Sequence, residues 1–439
     1  MRSGRRKSPS AGAIVAALFC VLCIVAAPWL YFPMDVKDYA AWARATGGAH
    51  PWNAYSSTES NYPPLLLYLL TVIEAVRTTL HAARLGPITI TLIKLPSLIA
   101  CGAGIPLCWY GLREIWGKDR AFQAALAWAL CTPLWYNAGL WGQTDALLTF
   151  GLVTALIATL NQRPAWAGFA LGLALSLKVM AVILIPVMAV FLLRRMGVRA
   201  LAKTALFCLA TWLLVVLPFV AAGHAEGVVH AYRGAVGFMS FRQISALNGW
   251  YLLDYFDVHF RHLPSDWTQR ASRLDTRLFL DLVSYRALGL GLFAISAAGL
   301  IGGVWRRPTD HNLTLSCGLI FFAFFMLTTE MHERYLVPAA GLMTLIPASA
   351  WRERSFSAAV GVCALLNQIL RGAFQPGAFA ERFTAWQTFV NDKLAFDLFV
   401  SAASCILLVV GLRMAWRYQF SHREPAQTAT DPLTGAMNM

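Results

Sequence analysis

The sequence predicts an all-α polytopic membrane protein, a bundle of about 12 transmembrane helices with polar extracytoplasmic loops. Of its 439 residues, 58% are apolar and 13% are charged, against roughly 45–50% and 25% in soluble domains. Several stretches of about 20 residues carry few charges, enough to cross the bilayer core of roughly 30 Å as a helix. Lys and Arg lie between these stretches, as in cytoplasmic loops. The net charge of +14 therefore does not indicate nucleic-acid binding. The composition also excludes a soluble enzyme and a disordered chain.

The N-terminal half is predicted to begin in the cytoplasm. Residues 1–10 are basic, and the apolar run at about 11–31 exceeds the roughly 7–15 residues of a cleaved signal core. We therefore expect an uncleaved first helix, which opens an N-terminal transmembrane module over 11–222. The loop 32–63 is rich in Trp and Tyr, residues that suit a membrane interface, and is predicted to be extracytoplasmic. Further apolar segments follow at 64–82, 87–112, 121–137, 144–160 and 165–193.

Counting these segments leaves one question of sidedness open. If each segment crosses the membrane once, the turn 141–145 lies on the cytoplasmic side, although its polar side chains suit an outer cavity. Segment 165–193 is long and carries Lys178 midway. A break in this helix would change the count.

The C-terminal half is oriented by its basic residues. The basic pairs at 194–195 and 306–307 mark cytoplasmic loops. Between them, residues 223–283 are predicted to form a long extracytoplasmic segment. Residues 284–414 then hold the C-terminal transmembrane helices, and 415–439 form a cytoplasmic tail.

Charged side chains near membrane depth are candidate functional residues, because each costs roughly 2.5–3.5 kcal/mol at the bilayer centre and needs a partner or a role. Asp35 and Asp38 directly follow the first helix and share a face if the loop begins as a helix. They form either a general base with a neighbouring carboxylate or a pair that caps a juxtamembrane helix. No cofactor is indicated with certainty. A divalent metal remains open, although two carboxylates make a small ligand set.

Further polar residues interrupt the N-terminal module. Tyr62 precedes two prolines that suit the first turn of a helix. Gln143 and Asp145 lie in a turn between two apolar segments, where they form either a polar site or a helix N-cap. Lys178, within an apolar segment, either binds a phosphate or extends its ammonium group to the interface.

The C-terminal half adds two groups. Asn248 and Trp250 lie in the long outer segment, which could also be an amphipathic piece lying on the membrane. His332, Glu333 and Arg334 follow an apolar segment directly. Such a concentration of ionisable groups favours a functional role over a plain interfacial loop.

In chain order, these motifs resemble the bacterial relatives of the second mannosyltransferase of the glycosylphosphatidylinositol pathway, which belong to the GT-C class of membrane glycosyltransferases. The matching positions are Asp35 with Trp42, Tyr62-Pro63-Pro64, Trp141-Gly142-Gln143-Thr144-Asp145, Ala246 to Trp250, and His332 to Leu336. The Gly142-Gln143 turn, the helix with Ala167 and Gly168, and Lys178 are also similar to polyprenol-phosphate-mannose-dependent mannosyltransferases.

The resemblance implies a GT-C-like bundle in a bacterial inner membrane, with extracytoplasmic loops roofing the active site. It implies a donor of polyprenyl phosphate carrying one sugar, most often mannose, and a glycolipid, glycan or protein acceptor, alongside membrane lipids and without nucleic acid. Asp35 matches the family's catalytic base, and inversion at the sugar carbon is expected. The predicted substrate-binding residues are Asp38, Tyr62, Gln143, Asp145, Lys178, Asn248, Trp250, His332, Glu333 and Arg334.

The implied chemistry agrees with the residue types. A phosphate leaving group departs without a proton, so one carboxylate is sufficient as the base on the acceptor hydroxyl. Cations must offset the charge that builds up on the departing phosphate. Lys178, His332 and Arg334 are candidates, and Arg334 suits the role best because a guanidinium binds phosphate with paired donors.

Two other functions fit parts of the pattern. A secondary transporter with 12 helices is one, but the long outer segment and the lack of repeated halves oppose it. A lipid-linked glycan ligase or polymerase is the other, and it would transfer a whole glycan rather than a single sugar.

Overall fold

The computed structural model describes residues 11–58, 60–234, 240–260, 274–346, 351–371 and 394–420, and most of them are helical. The predicted all-α class is therefore confirmed. In this part of the chain, six helices are long and apolar enough to cross a membrane, and shorter apolar helices accompany them. These features confirm a polytopic membrane architecture.

The helices of the N-terminal half lead from the first apolar run to the outer segment. They are α1 (Ala11–Ala26), α2 (Pro33–Ala45), α3 (Asn53–Ser57), α4 (Pro64–Thr79), α5 (Pro87–Trp116), α6 (Lys118–Ala129), α7 (Thr132–Trp135), α8 (Asp145–Leu160), α9 (Pro164–Leu177), α10 (Ile185–Met196), α11 (Val198–Ala221) and α12 (Ala225–Arg233). A π-helix (Tyr136–Trp141) follows α7, and a 3₁₀-helix (Val179–Leu184) precedes α10.

The C-terminal half begins with a short helix and a small hairpin. Its elements are α13 (Gly249–Phe260), β1 (Leu278–Phe279), β2 (Val283–Ser284), α14 (Tyr285–Arg306), α15 (Asp310–Leu327), α16 (Val337–Met343), α17 (Trp351–Arg371) and α18 (Leu394–Phe420). The two strands pair antiparallel, with Leu278 opposite Ser284 and Phe279 opposite Val283.

Helix ends follow local sequence signals. Proline occupies the first turn of α2, α4, α5, α9, α10 and α16, where its missing N–H costs nothing. Gly117 and Gly197 link successive helices with φ of +80° and +83°, values that glycine adopts without a steric penalty. The basic tight turns after α5 and α10 are built this way.

The apolar segment 165–193 does not form one continuous helix. α9 ends at Leu177, and Lys178 adopts an extended backbone with φ −150° and ψ 134°. The chain then restarts as the 3₁₀-helix and α10. The break that the sequence left open is therefore present, and it frees the Lys178 side chain to point at another helix.

The segment 64–82 was also expected to cross the membrane, and the contacts of α5 oppose this. Near the start of α5, Lys94 Nζ donates to Ala27 O at 2.8 Å and Ser97 Oγ donates to Gln143 O at 2.9 Å. Ala27 directly follows α1, next to the first loop. Since α4 leads from that loop to α5, it begins and ends at one end of the bundle, and the predicted crossing is corrected. This correction and the break at Lys178 together place the turn 141–145 beside the first loop.

Close helix packing holds α9 against α11. A Cβ on Gly168 would lie 2.2 Å from Thr204 O, and one on Gly172 would lie 2.6 Å from Cys208 O. Small residues of this kind let membrane helices approach closely. α9 is thereby fixed up to its break at Lys178.

Two arginines anchor the segment 223–283, the buried Arg242 and the partly exposed Arg286. Arg242 is 1% exposed and pairs with Asp254 at 2.7 Å and with Asp257. Arg286 pairs with Asp275 at 2.8 Å and with Glu330, in the loop that follows α15. The Arg242 pairs lie within this segment, and the Arg286 pairs join it to the loop after α15, which carries the His332–Arg334 motif.

Candidate active site

Asp35 lies in the first turn of α2, shortly after the chain leaves α1. Its carboxylate Oδ2 accepts a 2.6 Å hydrogen bond from Trp141 Nε1. The neighbouring backbone reinforces this contact, because Phe32 N donates to Trp141 O at 2.9 Å. A carboxylate is also favoured by the positive end of the helix dipole. Asp35 is thus held in a defined orientation while its side chain stays partly exposed.

Asp38 lies one turn further along α2 and is exposed. Partial loss of water contact and the negative charge of Asp35 raise the pKa of Asp38 above its ordinary value. Asp35 is the member of the pair that contacts the turn 141–145. Across the described segments, no group of three or more His, Cys, Asp or Glu residues could hold a metal ion.

The turn 141–145 depends on Gly142. This residue has φ +93°, and a Cβ there would lie 2.8 Å from Val36 Cγ2. The backbone N–H groups of Gly142 and Gln143 both donate to Asn137 O at 3.0 Å. The turn therefore packs directly on α2 and presents Trp141 and Gln143 to the first loop.

Gln143 joins two tyrosines of the first loop. Its Oε1 accepts hydrogen bonds from the Tyr39 hydroxyl at 2.7 Å and the Tyr62 hydroxyl at 3.1 Å. The ring of Trp42 lies 5.5 Å from that of Tyr39 and 5.6 Å from that of Tyr62. The predicted positions Tyr62 and Gln143 are therefore brought together, and Tyr39 is added to them.

A buried ion pair links α8 to the break after α9. Lys178 Nζ lies 2.6 Å from Asp145 Oδ1, and the carboxylate is fully buried. Asn137 Nδ2 donates to the other carboxylate oxygen at 3.3 Å. The Lys178 ammonium also lies 5.3 Å from the Tyr62 ring centre and 5.8 Å from that of Tyr335, an arrangement that favours a cation. Lys178 therefore faces the site rather than extending to the interface.

Removing one member of this ion pair should destabilise the protein strongly. Asp145→Asn leaves the buried Lys178 ammonium without its carboxylate, which costs about 3–5 kcal/mol. Lys178→Met leaves Asp145 only the more distant Arg334, at 3.8 Å. In the double variant both charges are gone, so its thermal unfolding midpoint in detergent should lie above that of either single variant. The midpoints of these variants and the wild type form a double-mutant cycle. Additive losses would contradict a coupled pair.

Glu333, which is buried, and Arg334, which is partly exposed, form a second ion pair. Arg334 Nη1 donates to Glu333 Oε1 at 3.0 Å, and His332 Nδ1 lies 3.8 Å from Glu333 Oε2. Burial alone would raise the pKa of Glu333, but the nearby His332 and the charge of Arg334 lower that pKa to about 2. Glu333 is therefore ionised throughout the neutral and mildly acidic range. Its contribution to stability is complete above its ordinary pKa of 4.5 and is lost as the pH falls towards 2.

Arg334 connects this pair to the rest of the site. Its Nε lies 3.8 Å from Asp145 Oδ2 and makes no hydrogen bond to any described residue. Its guanidinium lies 6.0 Å from the Trp141 ring centre. Burial would lower the pKa of Arg334, but the charges of Asp35 and Glu333 raise it well above its ordinary value. Arg334 is therefore a permanent cation beside Asp145, and it also feels the charge of Asp35.

Asn248 and Trp250 lie in a different environment. Asn248 Nδ2 donates to Phe325 O at 3.0 Å, and Trp250 Nε1 donates to Leu327 O at 2.9 Å. Asn248 Oδ1 also accepts from Trp250 N at 3.1 Å, which caps the start of α13. These bonds dock α13 on the end of α15 and are not shared with the Asp35–Arg334 cluster. Substrate binding by the two residues stays a prediction, and the contacts favour an anchoring role.

Several polar residues that complete the site were not predicted from the sequence. Tyr39 lies one turn from Asp35, and Asn137 lies within an apolar segment, where any polar side chain needs a partner. Asn137 also donates to Gln368 Oε1 at 3.2 Å, which ties α17 to the site. The cost of burying amides in apolar segments was the signal that could have identified Asn137 and Gln368.

The amino-acid sequence matches a known protein family. The chain matches the model of glycosyltransferase family 87 over residues 61–329. It matches no curated protein. Among solved structures, it is similar to the crystal structure of ArnT from Cupriavidus metallidurans bound to undecaprenyl phosphate, with 13% sequence identity and a TM-score of 0.49. That match covers 93% of this chain and 76% of the other. Since the family match spans more than half of its residues, the chain belongs to glycosyltransferase family 87 and is a glycosyltransferase rather than a transporter.

Proposed function

We propose that the protein transfers a single sugar from a polyprenyl phosphate donor to a hydroxyl group of a lipid, glycan or protein, with Asp35 as the general base. The observation that carries this proposal is the convergence of a partly exposed carboxylate, Asp35, with two cations, Lys178 and Arg334, at one end of a membrane bundle. Mannose is the proposed sugar, on the resemblance of the motifs to mannosyltransferases. The bilayer beside the site accommodates the prenyl chain of such a donor.

The cations suit the phosphate of the donor. Arg334 keeps a buried Nε without a hydrogen bond among the described residues, so it retains a donor for a phosphate oxygen. Arginine can offer paired N–H groups in one plane, which match the oxygens of a phosphate. Lys178 adds a second positive charge held by Asp145. Both charges offset the negative charge that grows on the departing phosphate.

Asp35 supplies the base. In a single displacement, the acceptor oxygen bonds to the anomeric carbon and its proton passes to the Asp35 carboxylate. The bond between the anomeric carbon and the phosphate oxygen breaks, and polyprenyl phosphate leaves with the bonding electrons. The attack from the opposite face inverts the configuration of the sugar carbon. Trp141 Nε1 holds one carboxylate oxygen at 2.6 Å and thereby orients the carboxylate.

The distribution of basic residues supports an extracytoplasmic site in a bacterial inner membrane. α8 begins at Asp145 in the site and ends shortly before Arg163. α10 begins after Lys178 and carries Arg195 in its last turn. Arg195 Nη1 donates to Pro308 O at 3.1 Å, next to the start of α15. Basic residues therefore gather at the end of the bundle opposite the site, and the positive-inside rule assigns that end to the cytoplasm.

A donor panel tests the proposal. Purified protein in liposomes would receive polyprenyl phosphates carrying mannose, glucose, galactose or arabinose, with a membrane-lipid extract as the acceptor source. We expect release of free polyprenyl phosphate from the mannose donor and no consumption of nucleotide sugars supplied as controls. Consumption of a nucleotide sugar, or failure to bind any polyprenyl donor, would contradict the proposal.

A further inference from the structure

A lysine outside the site makes an unusual set of contacts. Lys94 lies on α5 and is 1% exposed. Its Nζ donates to Ala27 O at 2.8 Å, to Gly139 O at 2.6 Å and to Leu30 O. An ammonium group has three N–H donors, so all of them are used on backbone carbonyls. Among the described residues, no carboxylate forms an ion pair with Lys94.

These carbonyls belong to the two chain segments that carry the proposed base and its partner. Ala27 and Leu30 lie between the end of α1 and the start of α2, shortly before Asp35. Gly139 lies in the π-helix, two residues before Trp141. The last carbonyls of a helix carry a partial negative charge and have no partner within the helix. Lys94 satisfies carbonyls of both segments with one positive charge.

The stem of Lys94 also supports the turn that follows Trp141. A Cβ on Gly142 would lie 3.1 Å from Lys94 Cε, so the turn rests directly on the lysine side chain. The hydrogen bond between Trp141 Nε1 and Asp35 Oδ2 lies where these two segments meet. Movement of either segment would change the direction of the Asp35 carboxylate.

We propose that Lys94 is a positioning residue for sugar transfer, which fixes the Asp35 carboxylate by tying the α1–α2 connection to the π-helix that carries Trp141. The inference rests on the proposed role of Asp35 as the base. Lys94 is too buried to touch the substrate, and its three donors are already used. It acts on turnover through the geometry of Asp35 and leaves the phosphate site around Arg334 unchanged.

Lys94→Met tests this role, since Met keeps an unbranched stem and removes all three donors. We expect the turnover number to fall about a hundredfold, the loss that a misplacement of about 1 Å can cause. The affinity for the donor should stay unchanged. Asn161→Leu is a matched control: Asn161 Nδ2 donates to Gly111 O at 2.7 Å and Ile157 O at 2.9 Å, at the far end of α8. That variant should lower the unfolding midpoint without changing the turnover number.

A double-mutant cycle separates positioning from general stabilisation. If Lys94 acts through the Trp141–Asp35 hydrogen bond, the losses in turnover number caused by Lys94→Met and Trp141→Phe should not multiply. The double variant should then be about as slow as the slower single variant. Should Lys94→Met fail to fold, Lys94→Gln, whose amide keeps two donors, takes its place in the cycle. Wild-type turnover in the Lys94 variant, multiplied losses in the cycle, or loss of donor binding by both Lys94 variants would overturn the inference.

The same series separates this inference from the proposed function. Asp35→Asn is measured beside the Lys94 variants. Wild-type turnover in Asp35→Asn would overturn the role of Asp35 itself. An inactive Asp35→Asn beside a fully active Lys94→Met would overturn the role of Lys94 alone.

Discussion

Replacing Asp35 with Asn is expected to abolish sugar transfer while the fold and the donor affinity remain. The Asn side-chain oxygen can still accept the hydrogen bond from Trp141 Nε1, so the start of α2 keeps its position. The variant lacks a group that can take the proton of the acceptor hydroxyl. Removal of a general base lowers rates by about 10²–10⁴-fold. Initial rates at saturating donor, with donor binding measured separately, would show this split.

Asp281→Asn is the control for this prediction. Asp281 is an exposed carboxylate in the hairpin between β1 and β2. Its φ is +57°, a conformation that Asn adopts readily. Its substitution should leave both the rate and the donor affinity unchanged. Equal losses in Asp281→Asn and Asp35→Asn would show that loss of an outer carboxylate, rather than of the base, lowers the rate.

Replacing Arg334 with Ala is expected to weaken both donor binding and turnover. The guanidinium lies 3.8 Å from Asp145, and it is the proposed partner of the donor phosphate. Removal of one such group from a preorganised site costs about 10²–10³-fold in rate. The ratio kcat/KM for the donor measures the combined loss. An unchanged kcat/KM would remove Arg334 from the phosphate site.

Two further variants locate the origin of this loss. Arg334→Lys keeps a positive charge beside Glu333 but lacks paired donors in one plane, so it should recover stability more fully than activity. Arg233→Ala removes an exposed arginine in the last turn of α12 and should change neither. Full activity in Arg334→Lys would indicate that charge alone, without paired hydrogen bonds, serves the phosphate.

The residues of the site were identifiable from the sequence because they are polar where the chain is apolar. A charged side chain within or next to the bilayer is energetically costly, and this cost identified Asp35, Lys178 and Arg334 as candidates. Their mutual contacts were not predictable in the same way. Trp141 and Asp35 are 106 positions apart in the chain, and no local pattern records that the π-helix rests on the start of α2.

Two apolar segments differ from the simple prediction of one crossing each, and both differences have a physical cause. No glycine or proline marks the break at Lys178, because a tertiary contact, the ion pair with Asp145, stabilises it. α4 is apolar enough to resemble a membrane span, but its ends return to the same end of the bundle. No role was predicted for Lys94, because a single lysine near the start of a long apolar helix usually extends its ammonium group to the interface. Its three carbonyl partners lie on distant segments.

The anomeric configuration of the product is the most direct test of the claim that Asp35 acts as a base in a single displacement. A donor of known configuration would be consumed in one turnover by the wild-type protein, and the linkage formed would be determined by NMR. Inversion is expected, because one carboxylate that accepts a proton allows a single attack on the sugar carbon. Retention, or a sugar covalently attached to Asp35 in trapped protein, would contradict the account, since Asp35 would then be a nucleophile.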